Sequence, residues 1–212
     1  VFIIFIYMLF IKDHAYITFN LKDFIPSKII LWDIIKVGLP ASMSMIIMAL
    51  GQGVFNKILI YYSSQTVAAY QVAGRLDMLI FLPIFAIAGA LTTLVGMFYG
   101  ARQIGALNHI IRYGISSAFL ITLVSSSFVY LFAEAFSSWF TQDQEIISVS
   151  VGFLRMLCLV YPLVAIAITS GRVMQGLGKG LPVLLITIIR VLGVSAPLGL
   201  YFSFVLEKPV EW

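Results

Sequence analysis

Gln52, Asn56, Gln71 and Arg75 stand inside residues 37–101, a stretch that otherwise reads as two apolar segments of membrane-spanning length joined by a short polar turn. Amides and a guanidinium group at bilayer depth have no water to bind, so they turn toward a bundle interior or a wet cavity, where they can hydrogen-bond a solute. On a helical wheel Ala41, Met45, Met48, Gln52, Phe55 and Asn56 share one arc of about 100°, the width of a helix face. Methionine repacks around varied shapes and aromatic faces attract cations, so this arc suits an amphipathic organic molecule. The bland alternative is that Gln52 and Asn56 bond neighbouring helices while Met45 and Met48 fill core. In the next segment Gln71, Arg75, Met78, Leu82, Phe85 and Gly89 line one face, with Pro83 placed to bend it. Arg75 can contact substrate, or snorkel and pair with Asp77 near the outer end of that segment.

Other basic residues fall within apolar runs. Lys57 is near a span end and snorkels, whereas Arg155, Tyr161 and Arg190 are candidates for cavity or inter-helix positions. A central Arg or Lys costs about 2.5–3.5 kcal/mol on the lenient insertion scale, so such residues avoid lipid. The five apolar segments are read as free of Asp and Glu. A driving cation is then expected to bind mainly outside this segment. His14 and His109 fall in loops, and Cys158 is the one cysteine, so neither an intramembrane protease, a metal centre nor a disulfide framework is supported.

The elements that must position these residues are membrane helices. The 212 residues are 61% hydrophobic and 10% charged, with mean hydropathy +1.06, far from the composition of a soluble domain. The net charge of +4 is scattered through short loops, which excludes a nucleic-acid tract. Full spans are expected at about residues 37–62, 76–99, 110–133, 146–169 and 181–206. The fold class is therefore all-α integral membrane, with about five full transmembrane helices and part of a sixth. Residues 1–11 read as the end of a truncated span, 12–36 as a cytoplasmic amphipathic linker, 37–206 as the bundle, and 207–212 as the start of an outer loop. Lys36, Arg102, Arg112, Arg172 and Lys179 flank alternate connections, whereas the connection at 133–146 carries Glu134, Asp143 and Glu145 without a base. The positive-inside rule then places the basic side in the cytoplasm.

Gly38-Leu39-Pro40-Ala41-Ser42, then Val67-Ala68-Ala69-Tyr70-Gln71, Gly74-Arg75-Leu76-Asp77, Leu82-Pro83, Gly96 and Gly100-Ala101 follow one another at ordered spacing. Met174-Gln175-Gly176-Leu177-Gly178 and Leu181-Pro182 continue the series. The chain thereby resembles the second lobe of the multidrug and toxic compound extrusion (MATE) family, and its Gly-Arg-Leu-Asp segment looks closest to the DinF-like prokaryotic branch. The resemblance implies one lobe of a twelve-helix, two-lobe antiporter in the inner (plasma) membrane of a prokaryotic cell. Such a protein exports cationic or amphipathic compounds through a central cleft in exchange for sodium or protons. It implies membrane lipids, small substrates and the missing first lobe as partners, no cofactor, and a coupling ion held mainly by the first lobe. Met97-Phe98-Tyr99 stands where many relatives carry amides, and no NorM-like sodium site transfers to this sequence. A lipid-linked oligosaccharide flippase of the same superfamily, or a scaffold with no cargo, are the rival readings.

Overall fold

The computed structural model describes residues 27–62 and 64–204. The expected truncated span at 1–11, the first part of the linker and the loop at 207–212 lie outside the described residues. Two units divide the chain, residues 1–32 and 33–212. Of the first unit the described part is 27–32, where the Leu31 N–H donates to the Ser27 carbonyl at 3.0 Å and opens a helix.

Helix follows helix, with no strand among the described residues: α1 (Lys28–Tyr62), α2 (Ser64–Gly100), α3 (Ile104–Leu131), the short α4 (Ala133–Ser138), α5 (Gln144–Gly176) and α6 (Gly180–Ile188). A π-helical segment, Ile189–Ser195, joins α6 to α7 (Ala196–Phe204). Five stretches are long and apolar enough to cross a membrane, the last being Gly180–Tyr201 through α6, the π segment and α7. Each expected span is present, and the helices overrun the expected limits because polar turns at membrane surfaces continue the helical hydrogen bonding. Pro40, Pro83 and Pro162 lie inside helices that run on through them. Membrane helices tolerate this because neighbouring groups satisfy the freed carbonyls.

Helices α2, α3 and α5 form the central bundle. Their contacts stack in three layers. At one end Ala73, Leu76 and Ile80 meet Val129, Leu154, Cys158 and Tyr161; midway Ile84, Ala118 and Ala165 meet; at the other end Leu91 and Val95 meet Leu107 and Val173. The interior mixes Leu and Ile with small residues and hydroxyls, and the exterior is rich in Leu, Ile, Phe and Met. Lipid favours this arrangement, since helices gain by close approach rather than by burying apolar area from water. The buried hydroxyls of Thr122, Thr169 and Thr187 donate one turn back along their own helices, at 2.6, 2.7 and 2.8 Å. Ser150 Oγ instead crosses to the Ala69 carbonyl of α2 at 3.0 Å.

The fifth span touches both α5, where Gly171 faces Val183, and α1. A Cβ at Gly180 would lie 3.0 Å from the Val37 carbonyl, one at Gly51 only 2.5 Å from Val191 Cγ1, and one at Gly199 3.3 Å from Ile58. Contact positions rise together along both segments, so the two run parallel.

Two helix ends use the left-handed region. After α5, Gly178 takes φ 77°, its N–H reaches the Gln175 carbonyl, and the Lys179 N–H reaches that of Met174. This is a Schellman close, in which glycine carries no Cβ penalty. After α2, Arg102 holds the same conformation at φ 58° with a Cβ in place. In detergent-solubilised full-length protein, Arg102→Gly is expected to raise unfolding stability by about 1 kcal/mol and Gly178→Ala to lower it by a similar amount. Thermal unfolding checks both.

Candidate functional site

Asp77 lies on the face of α2 that meets α5. Its carboxylate Oδ1 accepts a hydrogen bond from the Tyr161 hydroxyl, and Tyr161 is buried. Phe81, one turn beyond Asp77, stands edge-on to the Tyr161 ring at 5.3 Å between centroids. Cys158, one turn before Tyr161, packs in the same cluster. Pro162 has no N–H, so the Cys158 carbonyl at the same level lacks its usual helical donor. If a hydrocarbon core about 30 Å thick is centred on α2, Asp77 sits roughly 7–8 Å from the midplane at 1.5 Å per residue.

This corrects the reading of acid-free spans and of an Arg75–Asp77 pair. Residues two apart on a helix point to nearly opposite sides. Arg75 accordingly turns outward, its guanidinium carbon 5.9 Å from the centroid of the Phe140 ring, while Asp77 turns in to Tyr161. Tyr161 is therefore an inter-helix residue, where the sequence left a cavity position equally open. Arg155 on α5 lies over the Tyr130 ring of α3, at 5.7 Å.

The remaining candidates divide by exposure. On α1 Met45, Met48, Gln52 and Phe55 are exposed, whereas Asn56 is half-buried. The Asn56 Oδ1 atom is fully buried, with no hydrogen-bond partner among the described residues. On α2 Gln71, Arg75, Met78, Leu82 and Phe85 are exposed in one stripe at alternating steps of four and three. Exposure does not single out the α1 face, since most of α1 is exposed. The two faces are not brought together by packing, because among the described residues α1 and α2 share no extended contact surface. Arg190 is exposed in the π segment. A surface depression of about 420 Å³ is lined by Leu131, Phe132, Glu134 and Gln144 at the acidic end, and by none of these candidates.

Sequence reasoning missed two features, the inward Asp77 and the π segment. The first had a signal: Ala73, Asp77, Ile80 and Ile84 keep one helical phase, opposite to that of Arg75 and Met78. The second had a weaker one in Gly193, Ser195 and Pro197. No group of three or more His, Cys, Asp or Glu that could hold a metal occurs among the described residues.

The MatE family model matches residues 40–201. A probable multidrug resistance protein NorM of Thermotoga maritima is 28% identical over 176 residues, covering 83% of this chain and 37% of that protein. A solved MOP superfamily transporter from Pyrococcus furiosus, whose binding pocket is described as reversed in polarity and suggestive of a different function, matches with TM-score 0.90 at 31% identity. That match covers 99% of this chain and 47% of the other. A MATE transporter solved in an outward-facing conformation matches with TM-score 0.89 at 32% identity, over 96% of this chain and 46% of the other. The chain spans less than half the length of these relatives. With five apolar helices in the order and packing of those structures, this chain is a multi-pass membrane protein belonging to the MatE, or multidrug and toxic compound extrusion, family.

Proposed function

We propose that this chain is the second lobe of a DinF-like antiporter that exports cationic or amphipathic organic compounds across a prokaryotic inner membrane. Sodium or protons drive it, and two lobes rock about a shared cleft. The observation that carries this reading is the pair of exposed stripes, Met45, Met48, Gln52 and Phe55 on α1 and Gln71, Arg75 and Met78 on α2. Polar groups there are costly in lipid, and acceptable where they line a cavity. The driving cation is bound mainly by the other lobe, and Asp77 is a carboxylate at membrane depth through which this lobe also responds to that cation.

A flippase for lipid-linked oligosaccharides would want basic residues converging at the midplane. Arg75 and Arg155 instead lie over aromatic rings, which leaves Arg190 as a single mid-span base and not a converging cluster among the described residues, and this disfavours that cargo.

The test is efflux of a fluorescent lipophilic cation from proteoliposomes holding the full-length protein under an imposed sodium or pH gradient. Wild type should export, and Gln52→Ala and Asn56→Ala should each change rate or substrate range severalfold. Wild-type behaviour in both variants would remove these residues from the cleft. No export under either gradient would remove the transport reading.

A further inference from the structure

Among the membrane-embedded cations, Arg190 is the unusual one. Arg75 and Arg155 lie over aromatic rings, and Lys57 is five residues from the end of α1, within snorkelling reach of the surface. Arg190 is the eleventh residue of the 22-residue span Gly180–Tyr201, at its middle. It is exposed, with no hydrogen bond or ion pair to any described residue. A guanidinium at the bilayer centre does not face lipid without a cost of several kcal/mol.

The backbone around it is built to hold that position. The residues of this span that are buried against the rest of the chain are Gly180, Leu184, Thr187, Val191 and Ala196. Their steps are four, three and four, then five across the π segment. The wide turn takes up one extra residue, so that the face packed on α1 is kept on both sides of it. Pro197 follows and cannot donate to Gly193, which favours the wide turn at that place. Without the extra residue the α7 half would turn Val194, now 47% exposed, toward α1 in place of Ala196, now 8% exposed.

The contact with α1 fixes what lies beside Arg190. Gly51 and Val191 touch, and the two segments run parallel. Arg190 precedes Val191 by one residue and Gln52 follows Gly51 by one. At about 100° per residue, these opposite steps in parallel helices swing both side chains to the same side of the contact. Met48, one turn before Gln52 and 52% exposed, borders that side. The result is a guanidinium and an amide at one depth beside an adaptable apolar surface.

We propose that Arg190 and Gln52 form an oxyanion subsite of the cleft, which selects amphipathic solutes carrying a carboxylate, zwitterions included. The guanidinium fork grips a carboxylate through two parallel N–H donors, Gln52 supplies a further donor, and Met48 meets the apolar body of the solute. This deepens the export reading above and rests on it. Arg190 is a specificity residue within the same cleft.

The experiment uses two dyes that differ in one group, in proteoliposomes of the full-length transporter. Rhodamine 110 carries a free carboxyl group, and rhodamine 123 is its methyl ester. Arg190→Gln is expected to slow rhodamine 110 export at least tenfold and to leave rhodamine 123 within about twofold of wild type. Arg190→Lys should recover part of the loss, and Gln52→Ala should slow rhodamine 110 severalfold more than rhodamine 123. An equal effect on both dyes, or none on either, overturns the subsite. If the Arg190→Gln effect vanishes in vesicles lacking anionic lipid, Arg190 holds a lipid phosphate and the solute subsite is overturned. Wild type that exports the ester alone also overturns it while leaving the export reading intact; wild type that exports neither dye overturns the export reading itself.

Discussion

Asp77→Asn in the full-length transporter is expected to reduce gradient-driven export at least tenfold while changing substrate affinity less than about threefold. The asparagine oxygen still accepts from Tyr161, and the side chain still fills the gap between α2 and α5, so the bundle should fold as before. What disappears is the charge that a proton or sodium ion can neutralise. A carboxylate at this depth has a large energetic difference between its neutral and charged forms, which is why membrane acids so often report on ions. Tyr161→Phe separates the two roles: it removes the donor that holds the carboxylate but leaves the titratable group, so export should fall by a smaller factor and its dependence on the gradient should shift. Export by Asp77→Asn at the wild-type rate, with wild-type ion dependence, would assign Asp77 to packing alone.

The second large effect is on stability. Gly176→Val should destabilise the folded protein by about 3 kcal/mol or more, because overpacking at a close helix crossing is relieved only by moving backbone. A Cβ at Gly176 would lie 2.7 Å from the Thr92 carbonyl oxygen and 3.1 Å from Val95. The first of these is main chain and cannot rotate away. Thr92 Oγ1 also contacts the Arg172 carbonyl at 3.4 Å, so the same displacement weakens a second link between α2 and α5. Gly152→Ala on α5 is the control, since a Cβ there meets nothing within 4 Å, and it should stay within about 1 kcal/mol of wild type. Thermal unfolding in detergent distinguishes the two. A Gly176→Val protein that unfolds with wild type would show that the crossing is looser than its spacing indicates.

Much of the architecture could be read from the residues in order. Twenty or more apolar residues between polar turns can only be membrane helices, since lipid leaves no other way to satisfy the backbone. That is why five spans and the spacing of the stripe from Gln71 to Phe85 follow from the chain alone. The place of Asp77 did not. Its neighbour two residues back offered an opposite charge, and only the helical phase of α2 against α5 shows that the two side chains point apart.

The sequence by itself determined which segments cross the membrane and which side chains share a helical face, because both depend on composition and a local period. Tertiary structure alone decided which face meets which neighbour. It gave Asp77 to Tyr161, Arg75 to Phe140 and Arg155 to Tyr130, and it set Gly51 against Val191. The physical reason is that these choices rest on close approaches between residues far apart in the chain, at Gly51, Gly114 and Gly176, and on one extra residue in a π turn. A local periodicity contains neither.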